Sequence, residues 1–312
     1  MEAPAGADEV LPDARRLLCV GIGGGGDVVG AVGAAWLLGR DAVVGGLTWE
    51  RLPVDPAPGP RRIAELVDAE VVHPAAALAT AATRTATGVR FAESRVAEAL
   101  GEPTVLVDPT DGPAAAADGL LAAAERTGCD GIVLIDVGGD VLAHGDEAGL
   151  GSPLADAVLL AAGLRLHQRG VPVVAAVVGA GCDGELTPDE VALRVAEATA
   201  GGGLLADLRL EDLGPDLDRL EAVVADVPTE ASALAIACAR GQRGPTPIRD
   251  GRRTVLRTAL GGRVVVLDVA ACVFGPARLA ALVGDAASLD EADARLAAEG
   301  ITSELAWERA QT

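Results

Sequence analysis

The 312-residue chain contains no lysine, no asparagine and no tyrosine. Without lysine there is no Schiff base, which excludes pyridoxal phosphate enzymes and lysine-type aldolases. The phosphate-loop lysine and the protein-kinase lysine are excluded too, and no phenol can serve as a general acid. Aromatics are scarce, with two Phe and three Trp, so stacking platforms for single-stranded nucleic acid are nearly absent. All 25 basic residues are Arg, against 46 Asp and Glu, for a net charge of -21. Such a chain lacks the dense cationic face that DNA binding needs, so no nucleic-acid partner is expected. Any phosphate or carboxylate must be met by Arg, a backbone nest, a helix N-terminus or a metal. Lys, Asn and Tyr are encoded by AT-rich codons, so a GC-rich gene accounts for the bias; a salt-adapted surface would also be acidic.

Cysteine is sparse as well. Cys19, Cys129, Cys182, Cys238 and Cys272 form no CxxC pair, which disfavours zinc ribbons and redox pairs. A reduced cytoplasm is the expected setting. Apolar runs such as Val171–Val178 are too short to span a bilayer, and no membrane association is expected. Residues 1–15 read as a short flexible tail, with no basic stretch leading into an apolar one. What is present supports a real core: half of the residues are hydrophobic and 23% are charged, a balance that separates folded from disordered chains.

Short β-branched runs alternate with Ala/Leu-rich stretches. Strands are expected at Leu17–Ile22, Ala42–Leu47, Thr104–Val107, Gly131–Asp136, Val171–Val178 and Glu221–Ala225. Helices are expected at Val28–Leu38, Pro60–Asp68, Ala92–Leu100, Pro113–Thr127, Pro153–Gln168, Pro188–Thr199 and Glu230–Arg240. Several open at Pro behind a capping residue, as in Ser152-Pro153. The alternation predicts a doubly wound α/β fold: a mostly parallel, Rossmann-like sheet with helices on both faces. Beyond about residue 241 the texture changes to a C-terminal subregion. There Arg253–Thr258 and Arg263–Val269, joined by Gly261-Gly262, suggest an antiparallel hairpin, followed by helices at Pro276–Val283 and Leu289–Glu299 and a last short one capped by Thr302 or Ser303. Residues 16–312 are thus expected to form a single α/β domain.

Three segments carry chemistry. In the first, Gly21, Gly23 and Gly26 satisfy G-x-G-x-x-G between a strand and a helix, with Gly24, Gly25 and Asp27 completing the turn. Glycines admit close backbone approach, and a helix N-terminus offers amides to an anion. Glu50, 24 positions beyond Gly26, is placed to accept from a ribose hydroxyl. A nucleotide or NAD(P) is one reading, a tight structural turn another; Asp27 would repel a pyrophosphate and attract a cation. In the second, Asp136 and Asp140 flank Gly138 and Gly139 at a strand end, followed by His144, Asp146, Glu147 and Ser152. Crowded carboxylates raise one another's pKa or hold a cation, and Mg²⁺ or Mn²⁺ takes such oxygens. The bland reading is a set of ordinary turn residues. The third, Gly181-Cys-Asp-Gly-Glu185, places Asp183 and Glu185 in another glycine turn, with Cys182 a nucleophile candidate or an inert buried thiol. Farther on, Arg249, Arg252, Arg253 and Arg257 form either an anion clamp or a solvated face.

These motifs, together with Ser152-Pro-Leu-Ala-Asp156 and Gly300-Ile-Thr-Ser-Glu304, resemble the DUF1152 family, a domain of unknown function in archaea and bacteria. The resemblance covers roughly residues 16 to 308 and implies a single α/β unit, with no reaction attached. The chain departs from the family pattern at Ala306, where an acidic residue is expected, which leaves the tail outside the expected site.

The functional expectation is an enzyme acting on a small polar ligand, phosphorylated or nucleotide-derived among the options. Asp136 and Asp140 would hold Mg²⁺ or Mn²⁺, and His144, Glu147 and Asp136 would be catalytic. Gly21–Asp27, Glu50, Gly138, Gly139, Ser152, Asp183 and Glu185 would line the crevice. The alternatives are a nucleotide- or NAD(P)-binding oxidoreductase and a non-catalytic ligand-binding protein. A homodimer that buries aliphatic helices fits all three.

Overall fold

The computed structural model describes residues 6–312 apart from Pro228. Its strands are β1 (Arg16–Gly21), β2 (Asp41–Leu47), β3 (Leu66–His73), β4 (Ala76–Thr85), β5 (Thr104–Val107), β6 (Gly131–Val137), β7 (Val173–Val178), β8 (Leu204–Arg209), β9 (Gly244–Ile248), β10 (Arg253–Arg257) and β11 (Arg263–Asp268). Its helices are α1 (Asp27–Leu38), α2 (Ala92–Leu100), α3 (Gly112–Thr127), α4 (Pro153–Gln168), α5 (Pro188–Ala200), α6 (Asp216–Asp226), α7 (Glu230–Ala239), α8 (Val269–Val273), α9 (Arg278–Val283), α10 (Leu289–Ala298) and α11 (Glu304–Gln311). Among the described residues, no helix is long and apolar enough to cross a membrane.

Five parallel strands form the centre of a nine-stranded sheet in the order β5-β2-β1-β6-β7. Antiparallel strands extend both edges, β4 and β3 beyond β5, β11 and β8 beyond β7. The chain therefore passes from β1 to β2, crosses to the far edge at β3, works back through β4 to β5, and then lays β6 on the other side of β1. The connections leaving the C-terminal ends of β1 and β6 run in opposite directions along the sheet, a switch point of the kind at which open α/β sheets bind ligands.

Strand periodicity divides the interior into two layers. Leu18, Val20, Ile132 and Leu134 pack with α3, α4 and α8–α10; Leu17, Cys19, Val133 and Ile135 pack with α1, α6 and α7. Every residue of β6 is buried, which explains its unbroken apolar run. Burial of each large aliphatic side chain contributes about 1.5–3 kcal/mol, so the loops above β1 and β6 stand on a rigid base.

The expected doubly wound architecture is present, with corrections in detail. Glu221–Ala225 is not a strand but lies in α6, whose buried Leu217, Leu220 and Val223 recur at helical spacing. Pro60–Asp68 is not a helix; after one turn at Ile63–Glu65 the chain enters β3. The Ala-rich β4 has helix-forming composition, yet it pairs β3 on one side and β5 on the other, so tertiary pairing overrides propensity. A C-terminal antiparallel hairpin exists, but its strands are β9 and β10. The two prolines of β9, Pro245 and Pro247, are two residues apart, so their missing N–H groups fall on one edge. The segment expected as the hairpin's second arm, β11, instead joins the main sheet between β7 and β8. Within the segment read as a tail, Ala7 and Val10 are fully buried, and Arg40 donates to the carbonyls of Val10 and Leu11, each at 2.6 Å.

Candidate functional site

The turn after β1 is shaped by carboxylates. A Cβ on Gly23 would lie 2.6 Å from Asp27 Oδ2 and 3.2 Å from Asp156 Oδ2, so glycine is required there for close approach of acidic side chains. A Cβ on Gly26 would collide with Thr229 at the start of α7, and one on Gly21 would come within 2.5 Å of the Asp27 backbone. Three amides of this turn are spent within the protein. Gly23 N donates to Asp27 Oδ2 at 3.0 Å, and Gly25 N donates to the Trp49 carbonyl at 2.9 Å, while Asp27 N reaches back to the Gly24 carbonyl at 3.4 Å. A pyrophosphate would need those same N–H groups.

The loop after β6 faces this turn. Asp136 Oδ2 accepts from Gly139 N at 2.8 Å and Val141 N at 3.3 Å. Gly138, at φ 139°, has no space for a Cβ because the Asp183 carboxyl occupies it. Asp156 enters from the first turn of α4. Two adjoining triads result. The carboxylates of Asp27, Asp136 and Asp156 lie within 4.8 Å of one another, and so do those of Asp140, Asp183 and Glu185. Asp136 and Asp140, expected as one metal-binding pair, thus belong to different triads, although their charges repel each other across the boundary.

Burial pushes Asp136 up to about 7. It drives Asp27, Asp140, Asp156 and Asp183 well above the usual carboxylate range, and their mutual repulsion adds to the effect. Glu185 is the exception. Burial pushes it up, but Ser152 Oγ at 2.5 Å, Gly151 N at 2.7 Å and the guanidinium groups of Arg253 and Arg249 outweigh that, holding it below its ordinary value. Within the two triads, Asp156 Oδ1 and Asp183 Oδ1 are buried without a hydrogen-bond partner. Acidic groups so crowded take up either protons or a cation.

Three further residues complete the centre. Arg51 follows β2, stacks on Trp49 at 4.9 Å and donates through Nη2 to the Gly23 carbonyl. Glu304, at the start of α11, accepts from Leu154 N at 3.0 Å and Ala155 N at 2.8 Å. Glu308 accepts from Trp49 Nε1 at 3.1 Å and Gly59 N at 2.8 Å. The C-terminal helix α11 is therefore tied to α4 and to the loop of residues 49–59 beside the acidic cluster. Glu304 and Asp156 stood inside recognisable motifs; Arg51 carried no signal beyond its place after Glu50.

Other expected residues lie elsewhere. His144, Asp146 and Glu147 form a third cluster. His144 Nε2 meets Glu197 at 2.9 Å. Glu147 accepts from His144 N at 2.9 Å and Gly145 N at 2.8 Å and pairs with Arg194 at 3.0 Å. Burial pushes Glu147 up, but these donors prevail and hold its carboxyl below the usual range, which suits a structural anchor rather than a general acid. Glu50 is 5% exposed and accepts from Ala92 N at the start of α2; it caps a helix instead of facing a ribose. Ser152 stands at the N-cap of α4 but makes no side-chain cap, its hydroxyl turning to Glu185. The Cys182 thiol is buried and pushed up, by a hydrogen bond with Cys238 and by burial, which opposes a nucleophilic role.

Among family models, residues 18–312 match the one described as "Protein of unknown function (DUF1152)". No curated protein and no solved structure matches the chain.

Proposed function

The chain belongs to the DUF1152 family, and for it we propose a divalent-metal-assisted enzyme, a hydrolase, lyase or transferase, acting on a small polar metabolite at the β1/β6 switch point. The observation that carries this reading is the Asp27–Asp136–Asp156 triad. Asp27 and Asp136 each spend Oδ2 on backbone amides, which orients the other oxygen, as outer hydrogen bonds do for metal ligands. Asp156, only 2% exposed, has an oxygen with no partner. An all-oxygen set of this kind suits Mg²⁺ or Mn²⁺.

Such a cation, when bound, polarises a substrate oxygen or activates a water. The chain's own contribution is orientation and proton handling. Asp140 and Asp183, beside the triad, are driven above the usual carboxylate range by burial and like charge, which favours their protonated forms and suits groups that pass protons to or from a substrate. Arg249 and Arg253 fasten the Asp183–Glu185 turn from the β9–β10 hairpin, at 3.3 and 3.6 Å from Glu185. The strand order and the Gly21/Gly23/Gly26 spacing also favour a nucleotide-binding oxidoreductase, but the inward-bonded amides of the turn weigh against it.

Calorimetric titration with Mn²⁺ tests the reading. Wild type should bind, and Asp156→Asn should bind at least tenfold more weakly while its metal-free form melts higher, because one repelling carboxylate is gone. Equal Mn²⁺ affinity in both proteins would overturn the assignment. A thermal shift with NAD(P) but none with Mn²⁺ would favour the oxidoreductase.

A further inference from the structure

We infer that the substrate of this site carries an oxyanion, a phosphate or a carboxylate, and that Arg51 is its specificity-determining partner. The inference rests on the metal reading above and adds the chemistry of what the metal meets.

A cluster of carboxylates repels anions, so any anionic group must be drawn in by a cation or by free amides. The N-termini of α4 and α2 are already taken by the protein's own acids, and the turn before α1 spends the amides of Gly23, Gly25 and Asp27 internally. Glu304 accepts from the first amides of α4, Glu50 from Ala92 of α2, and Glu185 from Gly151 and Ser152. The neighbouring guanidinium groups are committed as well: Arg249 and Arg253 to Glu185, and Arg194 to Glu147 and Glu197.

Arg51 differs from these. Its nearest carboxylates, Glu304 and Glu308, stand at 3.8 and 3.9 Å, outside hydrogen-bond length. They set its charge and orientation without consuming its donors. Nη1 is buried and has no hydrogen-bond partner, which is costly for a guanidinium donor unless a ligand completes it. The plane of the group is fixed by the Trp49 ring on its face and by the Gly23 carbonyl on Nη2. A planar fork held in this way is preorganised for an oxyanion.

Gly23 touches both halves of the site: its carbonyl holds Arg51, and a Cβ on it would lie 2.6–3.3 Å from the carboxylate oxygens of Asp27 and Asp156. The unpartnered Asp156 Oδ1, on a residue 98% buried by its 2% exposure, is the second, independent mark of a missing ligand on the acidic side. One oxygen of a small oxyanion would meet the cation on the triad while another meets Nη1 of Arg51.

The test is Mn²⁺ affinity by calorimetry, with and without inorganic phosphate and, separately, acetate. In wild type one of these anions should raise Mn²⁺ affinity at least fivefold, by linkage; phosphate alone identifies a phosphorylated substrate, acetate a carboxylate. Arg51→Gln should lose that coupling while binding Mn²⁺ alone as tightly as wild type or more so, since a repelling cation has been removed. A merely structural Arg51 would weaken both together. Arg51→Lys, which keeps the charge but not the fork, should retain only part of the coupling and stands in if the Gln variant does not fold. Mn²⁺ binding that neither anion changes overturns the oxyanion inference alone; absence of Mn²⁺ binding overturns the metal reading and this inference with it.

Discussion

Replacing Glu304 by Ala removes the acceptor of two amides, Leu154 N and Ala155 N, at the opening of α4. Both donor residues are fully buried, so no water replaces the lost carboxylate without rearrangement. Hydrogen bonds to a charged group contribute about 1.5–3 kcal/mol each, and a buried donor left unpaired costs about 1–3 kcal/mol. The helix dipole adds about 0.3–1 kcal/mol for an anion at this end. Against these stands the desolvation of Glu304 itself, which pushes its carboxyl above the ordinary range and which the substitution relieves. The balance is a loss of about 3–4 kcal/mol for Glu304→Ala. Glu304→Gln, which keeps one acceptor but turns an NH₂ towards the second amide, should lose about half as much. Urea denaturation followed by far-ultraviolet circular dichroism reads the difference as a shift in midpoint at constant m. A loss below about 1 kcal/mol for the Ala variant would mean that Glu304 behaves as an exposed ion-pair partner, and the argument that α11 is pinned to α4 through this carboxylate would fail.

Two other perturbations have signed outcomes. Burial raises Glu50 from 4.5 to about 7, so the folded state favours its protonated form. Its stabilising contribution is complete below pH 4.5 and is lost as the pH rises through 7. One pH unit of separation is worth about 1.4 kcal/mol, so Glu50→Gln should gain about 3 kcal/mol on wild type between pH 5 and pH 8, read from urea midpoints; parallel profiles would contradict the cause assigned to this shift. Gly26→Ala drives a Cβ into Thr229 and should cost about 1–3 kcal/mol. Adding Thr229→Gly should restore most of that loss, because Gly replaces Thr at an N-cap for only a few tenths of a kcal/mol; a double variant no more stable than Gly26→Ala would show that the contact is not the reason.

Much of the fold could be read from local pattern, because local pattern is what it depends on. The all-buried run of β6 and the Pro-led, Ala/Leu-rich stretch of α4 announce themselves by period and punctuation, and their bounds were anticipated to within a residue. Where pattern and pairing disagreed, pairing prevailed. The Ala-rich β4 has no strand signature of its own and is a strand because β3 and β5 flank it. Similarly, the short glycine link before β11 points to a hairpin, while its real neighbours, β7 and β8, are remote in the chain.

The site divides along the same line. Composition alone required that anions be met by Arg, amides or metal, and the glycine-flanked acids Asp27, Asp136, Asp140, Asp183 and Glu185 were visible as turn residues at strand ends. Their grouping was not visible. Proximity in sequence tied His144 and Glu147 to Asp140, yet Glu147 turns to Arg194 on α5 and His144 to Glu197. It also joined Asp136 to Asp140 as one pair, whereas the sheet order brings Asp27, Asp136 and Asp156 into one triad and sets Arg51 and Glu304 beside it. Residue type and turn chemistry are properties of a few consecutive positions, so they can be read along the chain. Which carboxylates meet depends on how β1, β6 and α4 are stacked side by side, and that is a property of the packed sheet.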